Sequence, residues 1–299
     1  MRPASTRLWR EFLSGYDRIH FYTADPGAHA IAVELVPLAG DLGRLSGWFA
    51  EGWSATRNPE CRPTLELESA LDAGRTLLLG SQTDYRRTQS LLRAASATGA
   101  STIFVFDHWK NYREHFGDHP LPDAVVVPDM IAYEQFLGAV GSHAAPRLRV
   151  LPHPGIDAAA ERVASCQVAV QRGVIAMLLD PTEAADGLGY DWRSALAFAS
   201  AAAGARPGAR LLVKPHPRQN IAAVKDQIAK LDSNHGIAEL YAGETEKLIA
   251  VADEVWGMTT SALNVALAVG KPVRSFQIGR NATGERASNP HIEPFAIVR

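Results

Sequence analysis

Residues 211–218, with the sequence LLVKPHPR, place three chemically useful side chains at the end of an apolar run. Lys214 and Arg218 supply cations and His216 supplies an imidazole, with rigid prolines between them. A phosphate that departs from a donor gains negative charge, so hydrogen-bond donors that are already oriented stabilise it. The alternative is a plain strand end, which prolines commonly terminate. The residues predicted to bind phosphate here are Lys214, His216, Pro217 and Arg218.

Three consecutive hydroxyls form a second candidate for the same chemistry. Thr259, Thr260 and Ser261 follow the run DEVWG and precede the helix-like segment ALNVALAVG. A helix N-terminus presents unpaired N–H groups and the positive end of the helix dipole, so hydroxyls there can bind phosphate oxygens with backbone help. The alternative is an ordinary N-cap by Thr260 or Ser261, which requires no ligand. We predict that all three residues bind the nucleotide part of a ligand, and both interpretations can hold together.

Residues 106–113, FDHWKNYR, combine a carboxylate, an imidazole, aromatic rings and cations directly after the apolar run STIFV. An aspartate beside a histidine can serve as the general base for an acceptor hydroxyl if its pKa is raised, and aromatic faces suit sugar rings. The alternative is a structural aromatic patch with an aspartate helix cap. The segment TADPGAHA, after the first apolar run, adds a further acid in a loop at a strand end. The predicted catalytic residues are Asp107, His108 and Asp25.

All of these candidates follow short apolar runs that alternate with helix-like segments, a pattern that predicts βαβ units and a parallel sheet. The predicted strands are 18–22, 76–79, 101–106, 124–127 and 148–151 in the first half, and 173–180, 209–215, 237–241, 253–257 and 271–276 in the second. The same architecture is used twice, so the fold class is α/β with two Rossmann-like doubly wound domains facing across a cleft. We predict an acceptor-side domain over residues 1–157 and a nucleotide-binding domain over residues 158–299.

The order KPHP, DEVWG, TTS, helix and GKPV resembles the C-terminal domain of a glycosyltransferase superfamily of the GT-B fold, and the resemblance covers residues 173–277. The superfamily includes bacterial sialyltransferases, polysialyltransferases and CDP-glycerol glycerophosphotransferases. The resemblance implies that the His-Pro and Ser/Thr motifs contact nucleotide phosphates. UDP-N-acetylglucosamine 2-epimerases share the fold, but TTS replaces their Ser-Gly-Gly type loop, which favours a transferase. Retaining members carry two glutamates in this region, whereas this chain has Asn264, which favours inversion.

Composition and charge limit the classes of partner and cofactor that we expect. The net charge is −2 and no Lys/Arg cluster is present, so a nucleic-acid partner is not expected. The two cysteines, Cys61 and Cys166, lack metal-site spacing, and no DxD pair is present, so we expect no metal and no cofactor beyond the nucleotide-sugar donor itself. The charged N-terminal segment contains no apolar run, which predicts a cytoplasmic protein without a transmembrane segment. Peripheral association with the inner membrane is compatible with this prediction.

The sequence therefore favours a metal-independent, inverting glycosyltransferase that uses a CMP-, CDP- or UDP-linked sugar and a glycan or glycoconjugate acceptor. Surface polysaccharide or glycoconjugate biosynthesis is the expected setting. Two alternatives remain open at this point. The first is a nucleotide-sugar hydrolase or epimerase of the same fold. The second is a non-catalytic nucleotide- or sugar-binding subunit of a polysaccharide assembly complex.

Overall fold

A computed structural model describes residues 3–58, 60–182, 190–232, 237–280 and 289–298. The chain divides into two compact units, Met1–Ala158 and Ala159–Arg299. This division lies one residue from the predicted boundary and falls inside the helix Pro154–Ser165. The acceptor-side and nucleotide-binding roles given to the two domains stay predictions.

Among the described residues of the first unit, seven parallel strands form one sheet. They are β1 (Ile19–Thr23), β2 (Leu45–Ala50), β3 (Arg62–Pro63), β4 (Thr76–Gly80), β5 (Ser101–Val105), β6 (Ala124–Val127) and β7 (Leu148–Val150). The helices are α1 (Pro3–Ser14), α2 (Pro26–Asp41), α3 (Gly52–Arg57), α4 (Leu67–Ala70), α5 (Tyr85–Thr98), α6 (Met130–Val140) and α7 (Pro154–Ser165). Short 3₁₀ helices cover Thr64–Glu66 and Ser142–Arg147.

Within the described part of the second unit, six parallel strands form the sheet. They are β8 (Gln171–Leu178), β9 (Arg210–Lys214), β10 (Ala238–Leu240), β11 (Ala252–Gly257), β12 (Val273–Phe276) and β13 (Ala296–Ile297). The helices are α8 (Trp192–Gly204), α9 (Ile221–Asp232), α10 (Thr245–Val251) and α11 (Ala262–Ala268), with a 3₁₀ helix at Glu293–Phe295.

The central strands are buried on both faces, which explains why they read as continuous apolar runs. Successive side chains of a strand point to opposite faces of the sheet. Accordingly, Leu77 and Leu79 of β4 pack in one apolar cluster, while Leu78 packs in another on the opposite face. In the second unit, Leu211 and Val213 of β9 share one face in the same way.

All ten predicted strands are confirmed, with ends that shift by up to two residues. Three observed strands, β2, β3 and β13, have no predicted counterpart. The strand β2 contains a glycine and is largely exposed at its start, and β3 and β13 are two residues long. None of the three therefore carries the continuous apolar run that marks a buried strand.

Both sheets share one strand order. It is β3-β2-β1-β4-β5-β6-β7 in the first unit and β10-β9-β8-β11-β12-β13 in the second. In each unit, the second and third strands are added on one side of the first strand, and the fourth and later strands are added on its other side, so the strand order reverses there. This is the doubly wound Rossmann order, in which ligands bind outside the carboxyl ends of the strands near the point of reversal. The reversal lies between β1 and β4 in the first unit and between β8 and β11 in the second.

The close packing of α2 on β4 depends on Gly80, and this makes a testable prediction. A Cβ on Gly80 would lie 2.7 Å from both Cα and Cβ of Ala28. We expect Gly80→Ala to lower the free energy of unfolding by about 1 to 3 kcal/mol, because the backbone must shift to admit the methyl group. Urea titration measures the change.

Gly138→Ala is the matched control. A Cβ on Gly138, inside α6, has no neighbour within 4 Å. This substitution should therefore leave stability unchanged or raise it by up to about 1 kcal/mol. Equal losses in the two variants would contradict the packing argument.

Candidate functional site

A histidine and an aspartate form a hydrogen-bonded pair just beyond the carboxyl end of β5. His108 Nδ1 lies 2.5 Å from Asp107 Oδ1, and Ser81 Oγ donates to the same oxygen. An ionised carboxylate only accepts hydrogen bonds, so the proton of His108 is on Nδ1 and Nε2 is left as the basic nitrogen. The two side chains are 26% and 21% exposed, respectively. The pair is therefore reachable and has the geometry of a histidine base oriented by an aspartate.

The pKa of Asp107 lies well below its usual range. Burial by itself raises this pKa, but the charge of His108, hydrogen bonds from His108 and Ser81 and the charge of His153 together outweigh it. A carboxylate that acts as a general base requires a pKa shifted the other way. The geometry therefore favours His108 as the base and Asp107 as its orienting partner, although the catalytic role of either residue stays a prediction.

The Asp107 carboxylate also lies against the first turn of α2. A Cβ on Gly27 would collide with Oδ2 and stand 2.7 Å from Cγ of Asp107. Glycine at this position is thus required by the close approach of the acid rather than by backbone conformation. On another side, His153 accepts a hydrogen bond from the Ile156 N–H on Nδ1 at 3.2 Å. Its pKa is lowered by burial, while Asp107 raises it.

Asp25 lies at the end of β1 as predicted, where it is engaged by the backbone. It is the N-cap of α2, since Oδ1 accepts from the Ala28 N–H at 3.3 Å. Its other oxygen accepts from the Thr83 N–H, in the loop after β4, at 3.0 Å. These contacts give Asp25 a capping and bridging role, and its catalytic role stays a prediction.

The aromatic rings of residues 106–113 do not face solvent, so the expectation that they hold a sugar is wrong. Phe106, Trp109 and Tyr112 are 1%, 6% and 4% exposed and belong to the apolar core. Trp109 Nε1 donates to Asp129 Oδ2 at 2.7 Å, which ties the segment to the start of α6. For these rings the structural alternative holds.

Sequence reasoning missed His115, which lies beside the pair. It is fully buried, and neither ring nitrogen has a hydrogen-bond partner within the described residues. Its ring centroid is 4.7 Å from that of Tyr85, 5.0 Å from Phe104 and 5.6 Å from His108. Burial, followed by the charge of His108, lowers the pKa of His115 to about 3. No sequence signal marks it, because one histidine among polar residues has no characteristic spacing.

In the second unit, His216 is held in a defined tautomer. Its Nδ1 accepts from the Arg218 N–H at 3.1 Å, so the proton is on Nε2. The main-chain N–H of His216 donates to Gln219 Oε1 at 2.7 Å. Burial, followed by the charge of Arg218, lowers the pKa of His216 to about 4. At neutral pH the imidazole is therefore an uncharged hydrogen-bond donor, and Pro217 and Arg218 are exposed beside it.

Lys214 is engaged elsewhere. Its Nζ donates to the main-chain oxygen of Gly243, in the loop after β10, at 2.7 Å. Burial lowers the pKa of Lys214, while Glu246 raises it. The cation predicted for phosphate therefore has a structural contact, and its role as a ligand contact stays a prediction.

The three hydroxyls after β11 do not share one role. Thr259 donates both its N–H and its Oγ1–H to Asp180 Oδ2, at 2.6 and 2.5 Å. Thr260 Oγ1 accepts from the Ala262 N–H at 3.3 Å, while the N-cap of the seven-residue α11 is Ser261, whose side chain makes no capping hydrogen bond. The exposed Ser261 hydroxyl makes no hydrogen bond in the part of the chain that the structure describes.

Two further observations bear on the predicted cofactors and partners. Among the described residues, no group of three or more His, Cys, Asp or Glu side chains could hold a metal ion. None of the described helices combines the length and apolar character that crossing a membrane requires. Residues 183–189, which follow β8 and include Gly187 and Gly189, lie outside the described residues.

No family model matches the chain, and no curated protein matches it. Solved structures do match it. The UDP-GlcNAc 2-epimerase from Neisseria meningitidis bound to UDP-GlcNAc is 11% identical, with a TM-score of 0.66 over 92% of this chain and 85% of that one. The UDP-GlcNAc 2-epimerase from Methanocaldococcus jannaschii is 11% identical, with a TM-score of 0.62 over 94% and 88%.

The S. aureus MnaA–UDP co-structure is 13% identical, with a TM-score of 0.62 over 87% of this chain and 78% of that one. Identities this low establish a shared fold and nothing finer. The chain therefore has the GT-B fold, built from two α/β units with parallel sheets.

The unpaired imidazole of His115 predicts an unusual response of stability to pH. The unfolded chain binds a proton on this histidine below about pH 6.5, whereas the folded chain keeps it neutral down to about pH 3. Stability should therefore fall as the pH drops through this window, by up to about 1.4 kcal/mol per pH unit from this group. Phenylalanine preserves the aromatic packing and removes both unpaired nitrogens.

We expect His115→Phe to raise the free energy of unfolding at pH 7 by about 1 to 3 kcal/mol, because it removes buried polar atoms without partners. It should also reduce the slope of stability against pH between 6 and 4 by the share of this one histidine, since burial lowers the pKa of His20 and of His216 to about 4 and both keep their contribution. Urea titrations across this range measure both effects. The exposed His143, changed to phenylalanine, is the control and should alter neither; a wild-type slope in His115→Phe would contradict the prediction.

Proposed function

We propose that this chain is an inverting, metal-independent glycosyltransferase that moves a sugar from a nucleotide donor to a hydroxyl of a glycan or glycoconjugate acceptor. The observation that carries the proposal is the Asp107–His108 pair, in which the carboxylate holds Nδ1 and leaves Nε2 free. His108 Nε2 takes the proton of the acceptor hydroxyl while the hydroxyl oxygen attacks the anomeric carbon of the donor sugar. Asp107 stabilises the imidazolium that forms, as its lowered pKa allows.

The leaving group in this reaction is the nucleotide phosphate, and the second unit offers donors for it. As the bond between the anomeric carbon and the phosphate oxygen breaks, negative charge collects on the phosphate. The Nε2–H of His216 and the hydroxyl of Ser261 can donate hydrogen bonds to it, and the exposed Arg218 supplies a positive charge. Because His216 is neutral at pH 7, it assists by hydrogen bonding and keeps its proton.

The fold neighbours support a nucleotide sugar as the ligand class, since two are named UDP-GlcNAc 2-epimerases and one of them is bound to UDP-GlcNAc. The same likeness favours a second candidate function, a hydrolase or epimerase that acts on a nucleotide sugar. In a hydrolase, His108 would take its proton from water rather than from an acceptor. The donor classes to be tested are CMP-, CDP- and UDP-linked sugars, and the proposed setting is surface polysaccharide or glycoconjugate biosynthesis.

The proposed phosphate site predicts selective nucleotide binding. Calorimetric titration with CMP, CDP, UMP, UDP and GDP should identify one nucleotide that binds the wild-type protein. His216→Ala should weaken that binding by about tenfold or more, because it removes a donor to a charged group. His143→Ala, an exposed histidine of the first unit, should bind as the wild type does. Absence of binding by all five nucleotides would rule out the phosphate site.

The proposed base predicts a separate effect on turnover. His108→Ala should lower the rate by about 10²- to 10⁴-fold, because it removes the group that takes the proton of the acceptor hydroxyl. It should leave nucleotide affinity unchanged, because in this proposal His108 acts on the acceptor and not on the nucleotide. Product analysis of the donor reaction, with and without acceptor, measures this rate and names the reaction. A glycosylated acceptor indicates a transferase, a free sugar indicates a hydrolase and an isomerised sugar indicates an epimerase. Binding with no turnover under any condition would favour the non-catalytic subunit.

A further inference from the structure

Asp180 connects the carboxyl ends of three neighbouring strands in the second sheet. It follows β8, which lies between β9 and β11. Its Oδ2 accepts the N–H and the hydroxyl of Thr259, after β11, at 2.6 and 2.5 Å. Its main-chain oxygen accepts from Gln219 Nε2, after β9, at 2.9 Å. Asp180 is 5% exposed, so these contacts lie inside the unit.

Gln219 continues the connection to His216. The amide oxygen of Gln219 accepts from the main-chain N–H of His216 at 2.7 Å, while its amide nitrogen reaches Asp180. Both ends of the amide are occupied, which fixes its orientation. The main-chain N–H of Gln219 donates to the main-chain oxygen of His216 at 2.9 Å. The two motifs proposed to bind phosphate are therefore joined through one buried residue, whose carboxylate holds Thr259 and whose main-chain oxygen holds Gln219.

A buried carboxylate costs free energy unless donors satisfy it, so its presence between strand ends calls for a reason. A negative charge near a phosphate would repel it if the carboxylate were a ligand contact. Here Oδ2 is occupied by two donors of Thr259, and the acid therefore holds protein groups. The same contacts use the Thr259 hydroxyl, which leaves Ser261 as the exposed hydroxyl of the motif.

We propose that Asp180 is the positioning residue of the phosphate site. It fixes the main chain at Thr259 directly and at His216 through Gln219, so that His216 Nε2–H and the Ser261 hydroxyl keep one arrangement. The inference rests on the proposed function, because it concerns the same phosphate site. It assigns Thr259 and Gln219 a role in orientation and not in contact with the ligand.

The test compares Thr259→Val, which keeps the shape but removes the hydroxyl, with Thr259→Ser, which keeps the hydroxyl. Thr245→Val, in the same unit, is the matched control, since the Thr245 hydroxyl makes no hydrogen bond in the part of the chain described. The ligand is whichever of CMP, CDP, UMP, UDP and GDP the wild type binds. Thr259→Val should weaken its binding by about tenfold, the loss expected for one hydrogen bond to a charged group. Thr259→Ser and Thr245→Val should bind as the wild type does.

Amide hydrogen exchange supplies a second measurement that does not depend on the ligand. In the wild type, the amides of Thr259 and His216 should be protected, and Gln219→Ala should speed exchange at His216 while also weakening nucleotide binding by about tenfold. If the amides of Thr259 and His216 exchange without protection in the wild type, the inference that Asp180 and Gln219 hold them is wrong.

The outcomes separate the inference from the proposed function. If the wild type binds a nucleotide and both Thr259→Val and Gln219→Ala bind it equally well, the positioning role is wrong and the phosphate site stands. If the wild type binds no nucleotide, the proposed function fails and the inference fails with it. Equal losses in Thr259→Val and Thr259→Ser would also overturn the inference, because a restored hydroxyl must restore the contact.

Discussion

One contact recurs at the point where each sheet reverses direction, and the rest of both units is arranged around it. An aspartate that follows the first strand accepts a main-chain N–H from the loop after the fourth. In the first unit Asp25 accepts from Thr83 at 3.0 Å, and in the second Asp180 accepts from Thr259 at 2.6 Å. The two crossover helices leave a crevice there, in which backbone donors would otherwise lack partners. Each acid satisfies such a donor and fixes the distance between two strand ends.

The two units use this shared frame for different chemistry. In the first unit, Asp25 also caps α2. Gly27, in the first turn of that helix, has no side chain, which allows Asp107 to approach. The approaching carboxylate orients a histidine that can accept a proton. In the second unit, the acid takes two donors from one threonine, and His216 is presented as a neutral donor. In the proposed function, the first unit supplies the proton acceptor and the second supplies hydrogen bonds to an anion.

The sequence predicts the buried strands well because burial on both faces demands long apolar runs, whereas β2 is interrupted by a glycine and β3 and β13 are only two residues long. It also singles out Asp107, His108 and His216 as candidates, since unusual polar residues after apolar runs stand out. It cannot assign their roles, because these depend on which ring nitrogen meets which partner. Thr259 looks like a ligand contact in the sequence, but its hydroxyl is used by a residue distant in the chain.

The contact between Asp107 and Gly27 ties two distant positions together. While residue 107 is an acid turned toward α2, no side chain fits at position 27. A descendant sequence that lost the acid would be free to acquire alanine there, and one that kept the acid would be compelled to keep glycine. The two positions therefore form a coupled pair whose joint identity, read across divergent sequences, records whether the oriented histidine has survived.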